Sequence, residues 1–166
     1  MSSTEPTPVK SALRVAMEAR NVGAVVDAFA PDAIFHSPFT EKLTFKGREQ
    51  MTALVSVILD VFKDFRYTEE VIGENGGFLI ARAKVDVVDI EMVDHIQLGS
   101  DGKILDFTVF MRPLPAAAAA LRLIGRGLVR RKSPARAKLV FALASPLAFM
   151  TRTGDGIGVR LIRSAL

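Results

Sequence analysis

The apolar positions of the first thirty residues fall into two short runs with helical spacing. Leu13 and Met17 lie one turn apart, and the same spacing resumes at Val25 after an interruption at residues 21–23. This pattern predicts two short helices, the second of which ends at Pro31.

A short strand and a longer helix are predicted next. Residues 33–37, directly before Pro38, have the β-branched and aromatic composition of a strand, and residues 39–46 are expected to form a loop or short hairpin. From Gly47 to Phe62, apolar residues recur at steps of three and four, so one side of this helix is expected to face a core.

Four strand-like runs then follow in close succession. They cover residues 65–72, 78–88, 90–98 and 103–112. The polar, glycine-rich stretches between them at residues 74–77 and 99–102 are typical of hairpin turns. Strands that follow early helices predict an α+β fold, with the helices packed on one face of a curved antiparallel sheet.

Alternation within the strands predicts which side chains share a face, since residues two apart point the same way. In residues 79–87 the odd positions are apolar, whereas Arg82 and Lys84 point to the other side. In the last strand one face carries Leu105, Phe107, Val109 and Met111. The opposite face of that strand is only half polar, so we expect a second subunit or the C-terminal segment to cover it.

The charge of the chain is distributed unevenly. The formal net charge is +4, but residues 1–113 hold 12 basic and 17 acidic residues, a net of −5. Residues 114–166 hold 10 basic residues and one acid, a net of +9. Such an asymmetry predicts that the basic segment interacts with an anionic surface.

Composition narrows the class of protein further. The 166 residues predict one domain, and a content of 49% hydrophobic and 24% charged residues is typical of a folded chain. The absence of cysteine excludes disulfides, thiolate metal ligands and a cysteine nucleophile. Residues 1–8 are polar and are expected to be disordered; because they contain no apolar run, we predict no signal peptide and a cytoplasmic protein.

The basic segment after Pro113 is predicted to be helical. Residues 116–132 are rich in helix formers, and their arginines repeat every four residues. Residues 134–151 are more apolar, but their uncharged stretch is too short to span a bilayer. Residues 154–158 are glycine-rich without the strand and helix context of a dinucleotide-binding turn, and are predicted to form a flexible break.

Three interpretations of residues 114–166 remain open. The segment packs on its own sheet or on a second subunit of a homodimer, or it lies on an anionic membrane surface, or it binds nucleic acid. The third is disfavoured, because the basic residues lack interleaved aromatic residues and no binding motif is present. We therefore predict no nucleic-acid partner.

Two segments resemble a known family. Residues 93–98, followed by a four-residue turn ending in Gly102, resemble the segment around the oxyanion-hole aspartate of ketosteroid isomerases, and residues 29–33 resemble the helix end before their catalytic base. With the order of elements, this resemblance covers roughly residues 9–112 and indicates the cone of the nuclear transport factor two-like and SnoaL-like superfamily. It implies an internal cavity and a small-molecule ligand.

The resemblance carries over to single positions unevenly. Asp94 matches the protonated aspartic acid that donates a hydrogen bond to the steroid oxygen, which is a known example of a strongly raised carboxyl pKa. The position of the general base is Ser37, and that of the oxyanion-hole tyrosine is Leu13. A lone serine is far too weak an acid to become a base for a carbon-bound proton, so ketosteroid isomerase chemistry is disfavoured.

A cavity around Asp94 is predicted to be almost wholly apolar. Parity and the resemblance together assign its lining to Leu13, Met17, Leu54, Ile58, Met92, Ile96, Phe107, Val109 and Met111. Such a cavity suits a lipid, steroid, isoprenoid or polyketide, either bound without turnover or isomerised or hydrolysed. The alternative is a non-catalytic module that acts on membranes or proteins through its basic C-terminal helices.

Other polar residues are given weaker roles. Tyr67, the single tyrosine, is either the missing hydrogen-bond donor of the cavity or, as the favoured reading, an ordinary cross-strand aromatic residue. Parity places His36 and His95 away from the cavity, and Asp106 and Arg112 are expected to pair with Arg82 or Lys84. The histidines lack the spacing of metal ligands, so we predict neither a metal nor a cofactor.

Overall fold

The structure, a computed structural model, describes residues 11–130 and 133–164. Its helices are α1 Ala12–Glu18, α2 Val22–Asp27, α3 Gly47–Val61, α4 Leu114–Arg130 and α5 Pro134–Ser164. Its strands are β1 Phe29–His36, β2 Thr44–Lys46, β3 Phe62–Gly73, β4 Gly76–Val85, β5 Val88–Leu98 and β6 Ile104–Arg112. The predicted disorder of residues 1–8 falls outside the described residues.

The strands form one curved sheet in the order β2-β1-β6-β5-β4-β3. All neighbouring strands are antiparallel except β1 and β6, which run parallel. The helices α1, α2 and α3 share a hydrophobic core with the inner face of this sheet. This arrangement confirms the predicted α+β class.

The first two helices are short, with 7 and 6 residues, and each begins at an N-cap side chain. The Ser11 hydroxyl accepts a hydrogen bond from the Arg14 amide, and the Asn21 side chain accepts one from the Ala24 amide. β1 begins at Phe29, earlier than predicted, because Pro31 lies in an irregular stretch between Phe29 and Ile34 where the ladder needs no donor from it.

Parity holds along β4 and β5 but changes at the start of β6. The register between β5 and β6 shifts between Gln97, which pairs with Asp106, and Leu98, which pairs with Ile104. This irregularity reverses the faces of the first two residues of β6 relative to the simple alternation. Ile104 is therefore buried, and Leu105, which was predicted to face the core, is 41% exposed. The inward alternation resumes at Phe107.

The helix α4 lies on the inner face of the sheet and extends the core. Ala116, Ala120 and Ile124 are buried in the same cluster as α3 and the inward residues of the sheet. The prediction that the C-terminal segment covers the outer face is therefore wrong, because the small side chains of α4 fit against the open side of the cone. Phe78 and Phe110 remain exposed on the outer face, where the homodimer stays a prediction.

The helix α5 packs on α4 and continues through the glycine-rich stretch at residues 154–158. The predicted flexible break is therefore wrong, since the helical residues on both sides carry the helix across the glycines despite their low helix propensity. In the described parts of the chain, no helix is both long and apolar enough to cross a membrane.

Two glycines are expected to respond oppositely to alanine. A Cβ at Gly154 meets no atom within 4 Å, so Gly154→Ala should stabilise α5 by about 1 kcal/mol. A Cβ at Gly127 would lie 2.6 Å from a methyl of Val57 on α3, so Gly127→Ala should destabilise the fold by about 1–3 kcal/mol. Urea unfolding measures the lower stability of Gly127→Ala. Amide hydrogen exchange measures the higher stability of α5 in Gly154→Ala, and unchanged exchange in that variant would contradict a continuous α5.

Candidate functional site

Asp94 is the one charged residue that is buried among the described residues, with 5% of its surface exposed. It lies on the inner face of β5, where its register partners are Leu79 on β4 and Val109 on β6. Because both neighbours are apolar, a carboxyl group at this position is costly unless another group compensates it.

Tyr67 on β3 supplies that compensation. Its hydroxyl donates a hydrogen bond to Oδ2 of Asp94 at 2.7 Å, across the intervening strand β4. The register of β3 shifts on both sides of Tyr67, and Asp64 has a left-handed backbone with φ of 52°. These irregularities aim the phenol inward. The structure therefore replaces the favoured reading of Tyr67 as an ordinary aromatic residue with that of a hydrogen-bond donor to Asp94.

The helix α1 holds the backbone of Tyr67 in place. Arg14 Nη2 donates to the Tyr67 carbonyl at 2.7 Å, and the Tyr67 amide donates to Oε1 of Glu18 at 3.1 Å. Arg14 and Glu18 also pair with each other at 3.2 Å. Phe65 packs edge-on against the phenol with ring centroids 5.0 Å apart. The donor is thus fixed before any ligand arrives.

Burial changes the acidity of both groups. Desolvation raises the pKa of Asp94 from 3.8 to about 7, although the hydrogen bond from Tyr67 opposes this shift. Desolvation also raises the pKa of Tyr67 well above its usual 10, and the nearby Asp94 carboxylate adds to that rise. At neutral pH, Asp94 is thus populated in both protonation states, whereas Tyr67 keeps its proton.

The inner chamber is the space in front of Asp94 and Tyr67, and it is otherwise lined by apolar side chains. These are Leu13, Met17, Val25, Phe29, Phe35, Ile58, Phe62, Phe65, Met92, Phe107, Val109 and Met111. The chamber encloses about 50 Å³. It contains seven of the nine predicted lining residues: Leu13, Met17, Ile58, Met92, Phe107, Val109 and Met111.

The outer chamber adjoins the inner one and encloses about 60 Å³. The two chambers share the side chains of Phe35, Ile58 and Met111. The remaining lining residues of the outer chamber are Ser37, Pro38, Phe39, Leu43, Phe45, Leu54, Leu121, Ile124, Gly125 and Leu128. The helix α4 supplies the last four of these, so the C-terminal segment forms one wall of this chamber.

Three predicted site residues lie away from Asp94. Ser37 and Leu54 line the outer chamber. Ile96 has the same parity as Asp94, but it lies further along β5 and lines a separate groove between α1, α2 and the turn before β6. The placement of Ile96 in the cavity was therefore wrong, because parity fixes the face of a strand and not the position along it.

The outer face of the sheet carries its own pairs of polar residues. Nε2 of His36 lies 2.7 Å from Oδ2 of Asp106, and His95 stacks on Phe78 with ring centroids 4.7 Å apart. Arg112 lies 3.6 Å from a carboxylate oxygen of Glu91. The predicted pairing of Asp106 and Arg112 with Arg82 or Lys84 is therefore wrong.

A wider charged cleft lies at the edge of this outer face, and several of its charged residues form ion pairs with one another. Arg82 pairs with Glu91 at 2.9 Å, and Lys84 lies 3.8 Å from Asp64. These groups are exposed, so each pair contributes little to stability. Arg66 and Asp89 also line the cleft, and neither forms an ion pair with another described residue. Among residues 11–130 and 133–164, no group of three His, Asp or Glu side chains is arranged to hold a metal ion.

Sequence reasoning missed the residues that complete the inner chamber. Phe29, Phe62 and Phe65 line it, but each lies at the end of a predicted element, where periodicity assigns no face. Phe35 also lines it, and its place two residues before Ser37 on the predicted strand could have indicated this face. The pairing of Arg14 with Glu18 was visible as an i, i+4 pair on α1. Its contacts with Tyr67 were not visible, because they join residues about fifty positions apart.

Comparison with solved structures gives the same fold. A steroid delta-isomerase from Pseudomonas aeruginosa is 26% identical, with a TM-score of 0.60 over 71% of this chain and 84% of that chain. An uncharacterised protein with a cystatin-like fold from Silicibacter pomeroyi is 26% identical, with a TM-score of 0.65 over 80% of this chain and 91% of that chain. An NTF-2 like protein from Burkholderia xenovorans, 20% identical with a TM-score of 0.54 over 60% of this chain and 77% of that chain, shares the fold.

The sequence comparisons place the chain in a family. None of the curated proteins compared with the chain matches it. A sequence profile of the SnoaL-like domain matches residues 9–107, which is more than half of the chain. With the likeness to NTF-2 like and steroid isomerase structures, this match confirms the predicted superfamily. The protein belongs to the SnoaL-like domain family.

Proposed function

We propose that the protein binds a hydrophobic small molecule whose oxygen-bearing group contacts Asp94 and Tyr67. The observation that carries this proposal is the hydrogen bond between these two side chains in an otherwise apolar chamber. A buried acid with one partner is expensive in a purely structural core, whereas ligand sites combine apolar walls with a few convergent polar groups. The fold family supports the coarser statement of small-molecule binding.

The pair can recognise either a hydrogen-bond acceptor or a donor. Oδ2 of Asp94 is engaged by Tyr67, which leaves the second carboxyl oxygen for a ligand. Below pH about 7, the protonated acid can donate to a ketone, ester or acid carbonyl. Above that pH, the carboxylate can accept from an alcohol, and the hydrogen bond is then charge-assisted.

The two chambers favour an elongated ligand. With its polar end at Asp94, a ligand chain passes Phe35, Ile58 and Met111 into the outer chamber under α4. Each chamber, at about 50–60 Å³, is well below the roughly 300–1,000 Å³ of typical ligand sites. A narrow chain therefore fits with less widening than a fused ring system, and α4 is the wall that moves outward to admit it.

The same geometry limits the chemistry available. Asp94 is the residue of the inner chamber with a pKa near neutrality, so it can polarise a carbonyl or exchange one proton. Ser37, at the position of the general base in ketosteroid isomerases, lines the outer chamber and lacks a base to activate it among the lining residues. We therefore propose binding as the primary function, with turnover restricted to steps that one acid can promote.

Matched ligands test the proposal. A long-chain methyl ketone, the corresponding alcohol and the alkane of equal length differ only in the group presented to Asp94. We expect the ketone and the alcohol to bind at least about tenfold more tightly than the alkane, because the buried pair gains a hydrogen bond. Tyr67→Phe, which removes only the hydroxyl, should reduce this preference by about tenfold.

Titration calorimetry or native mass spectrometry measures these affinities. Asp89→Asn is the control, because Asp89 is exposed on the same strand as Asp94 and should bind as the unmodified protein does. Equal affinities for ketone, alcohol and alkane would overturn the role of the pair. An unliganded protein that takes up none of the three would overturn the cavity as a binding site.

A further inference from the structure

The helix α5 carries an apolar stripe that no other part of the described chain covers. Leu139, Leu143, Leu147 and Met150 follow one another at steps of four, four and three residues, and thus lie along one side of the helix. All four are exposed, with Leu143 at 72% and Met150 at 67%. Phe149 borders the stripe and is 69% exposed.

The opposite side of α5 is used to hold the helix on the body. The guanidinium groups of Arg122 and Arg126 on α4 lie 4.8 and 4.9 Å from the centre of the Phe141 ring. Val140 packs against Gly125, and Ala137 is buried. The stripe is therefore turned away from the cone, and Arg122 and Arg126 act within the protein.

Positive charges lie at both ends of the stripe. Arg136 and Lys138 come directly before it and Arg152 directly after it, and within the described ranges none of the three forms an ion pair. Between Lys138 and Arg152 the helix has no charged residue over about 18 Å. Asp155 is the sole acid of residues 114–166.

We propose that α5 docks lengthwise on an anionic lipid membrane. The stripe enters the boundary between headgroups and acyl chains, while the flanking cations remain at the level of the lipid phosphates. A convex apolar helix side without a groove is suited to a fluid, deformable partner. This inference concerns α5 alone and does not depend on which ligand occupies the chambers.

The charge pattern favours lipid over two other occupants. A second copy of α5 would bring the cations of both helices together, with one Asp155 on each side to offset them. Nucleic acid is bound by cations that follow the phosphate backbone, whereas here the cations flank a long uncharged apolar stretch. An anionic bilayer offers both the apolar interior and the negative charge.

Vesicle flotation of the full chain tests the docking. We expect the protein to float with phosphatidylcholine vesicles that contain about 30% phosphatidylglycerol, and to bind pure phosphatidylcholine at least about tenfold more weakly. Raising the salt concentration should weaken binding to the anionic vesicles. Leu143→Asp should reduce this binding by at least about tenfold, because it removes an apolar anchor and adds a negative charge.

Val159→Asp is the matched control. Val159 is exposed on the same helix, but it lies nine residues beyond Met150 and therefore outside the stripe. Val159→Asp changes the net charge of the protein by the same amount as Leu143→Asp. Vesicle binding that survives in Val159→Asp and fails in Leu143→Asp therefore supports the stripe as the anchor. The absence of flotation, equal loss in both variants, or self-association that Leu143→Asp abolishes without any lipid binding would overturn the proposal.

Discussion

Relative to Asp94→Asn, the unmodified protein should lose about 4 kcal/mol of its free energy of unfolding as pH rises from about 4 to about 8. The pKa of Asp94 is raised from 3.8 to about 7 in the folded state, mainly because the carboxyl is buried. The folded protein therefore binds this proton more tightly than the unfolded chain does. The stabilisation is fully present below pH about 4 and is lost as pH rises through about 7.

Asparagine at position 94 keeps the shape and removes the titration. Urea unfolding of both proteins at a series of pH values measures the difference, in which the contributions of all other groups cancel. Asp89→Asn, an exposed change on the same strand, should leave the pH dependence as it is in the unmodified protein. A difference between the unmodified protein and Asp94→Asn that stays flat from pH 4 to 8 would show that Asp94 titrates normally.

Ile124→Asp should destabilise the protein by about 4 kcal/mol or more, the largest effect expected from a single change on α4. Ile124 is 6% exposed, and it packs against the core while lining the outer chamber. The substitution removes a buried apolar side chain and places a carboxylate where no described partner is available. The helix α4 must then leave its site or the chain must unfold.

Two measurements separate these outcomes. Urea unfolding gives the loss of stability, and binding of a fluorescent apolar dye reports the chambers that open when α4 moves. Leu114→Asp is the control: Leu114 lies on the same helix but is 66% exposed, so its substitution should change stability by at most about 0.5 kcal/mol. If Ile124→Asp is as stable as Leu114→Asp, α4 does not form part of the core.

The two halves of the candidate site differ in how far local patterns could predict them. Asp94 was predictable, since a charged residue on an otherwise apolar strand face stands out from the alternation alone. Tyr67 was visible only as the single tyrosine, because its inward direction depends on irregularities in β3 that alternation does not encode. The hydrogen bond between them joins residues that are 27 positions apart and separated by a whole strand.

The cavity shows the same limit. Seven of its nine predicted lining residues lie in the inner chamber, but the division into two chambers depends on α4, which lies beyond residues 9–107 of the SnoaL-like match. Nothing in the spacing of residues 114–130 states which face of the sheet they meet. Alanine side chains can pack closely on either surface of a sheet. The position of α4 is set by the open side of the cone, where it completes the core.

The sequence by itself determined the class of fold, the acidic body and basic extension, the side of β5 that Asp94 occupies, and the apolar stretch between Lys138 and Arg152. These properties follow from periodicity and charge, which act over a few residues. Only the tertiary structure decided that Tyr67 compensates Asp94, that α4 closes the cone, and that the stripe on α5 points away from the body. These three features depend on contacts between residues that are far apart in the sequence. Local periodicity and propensity do not encode the free energy of such contacts.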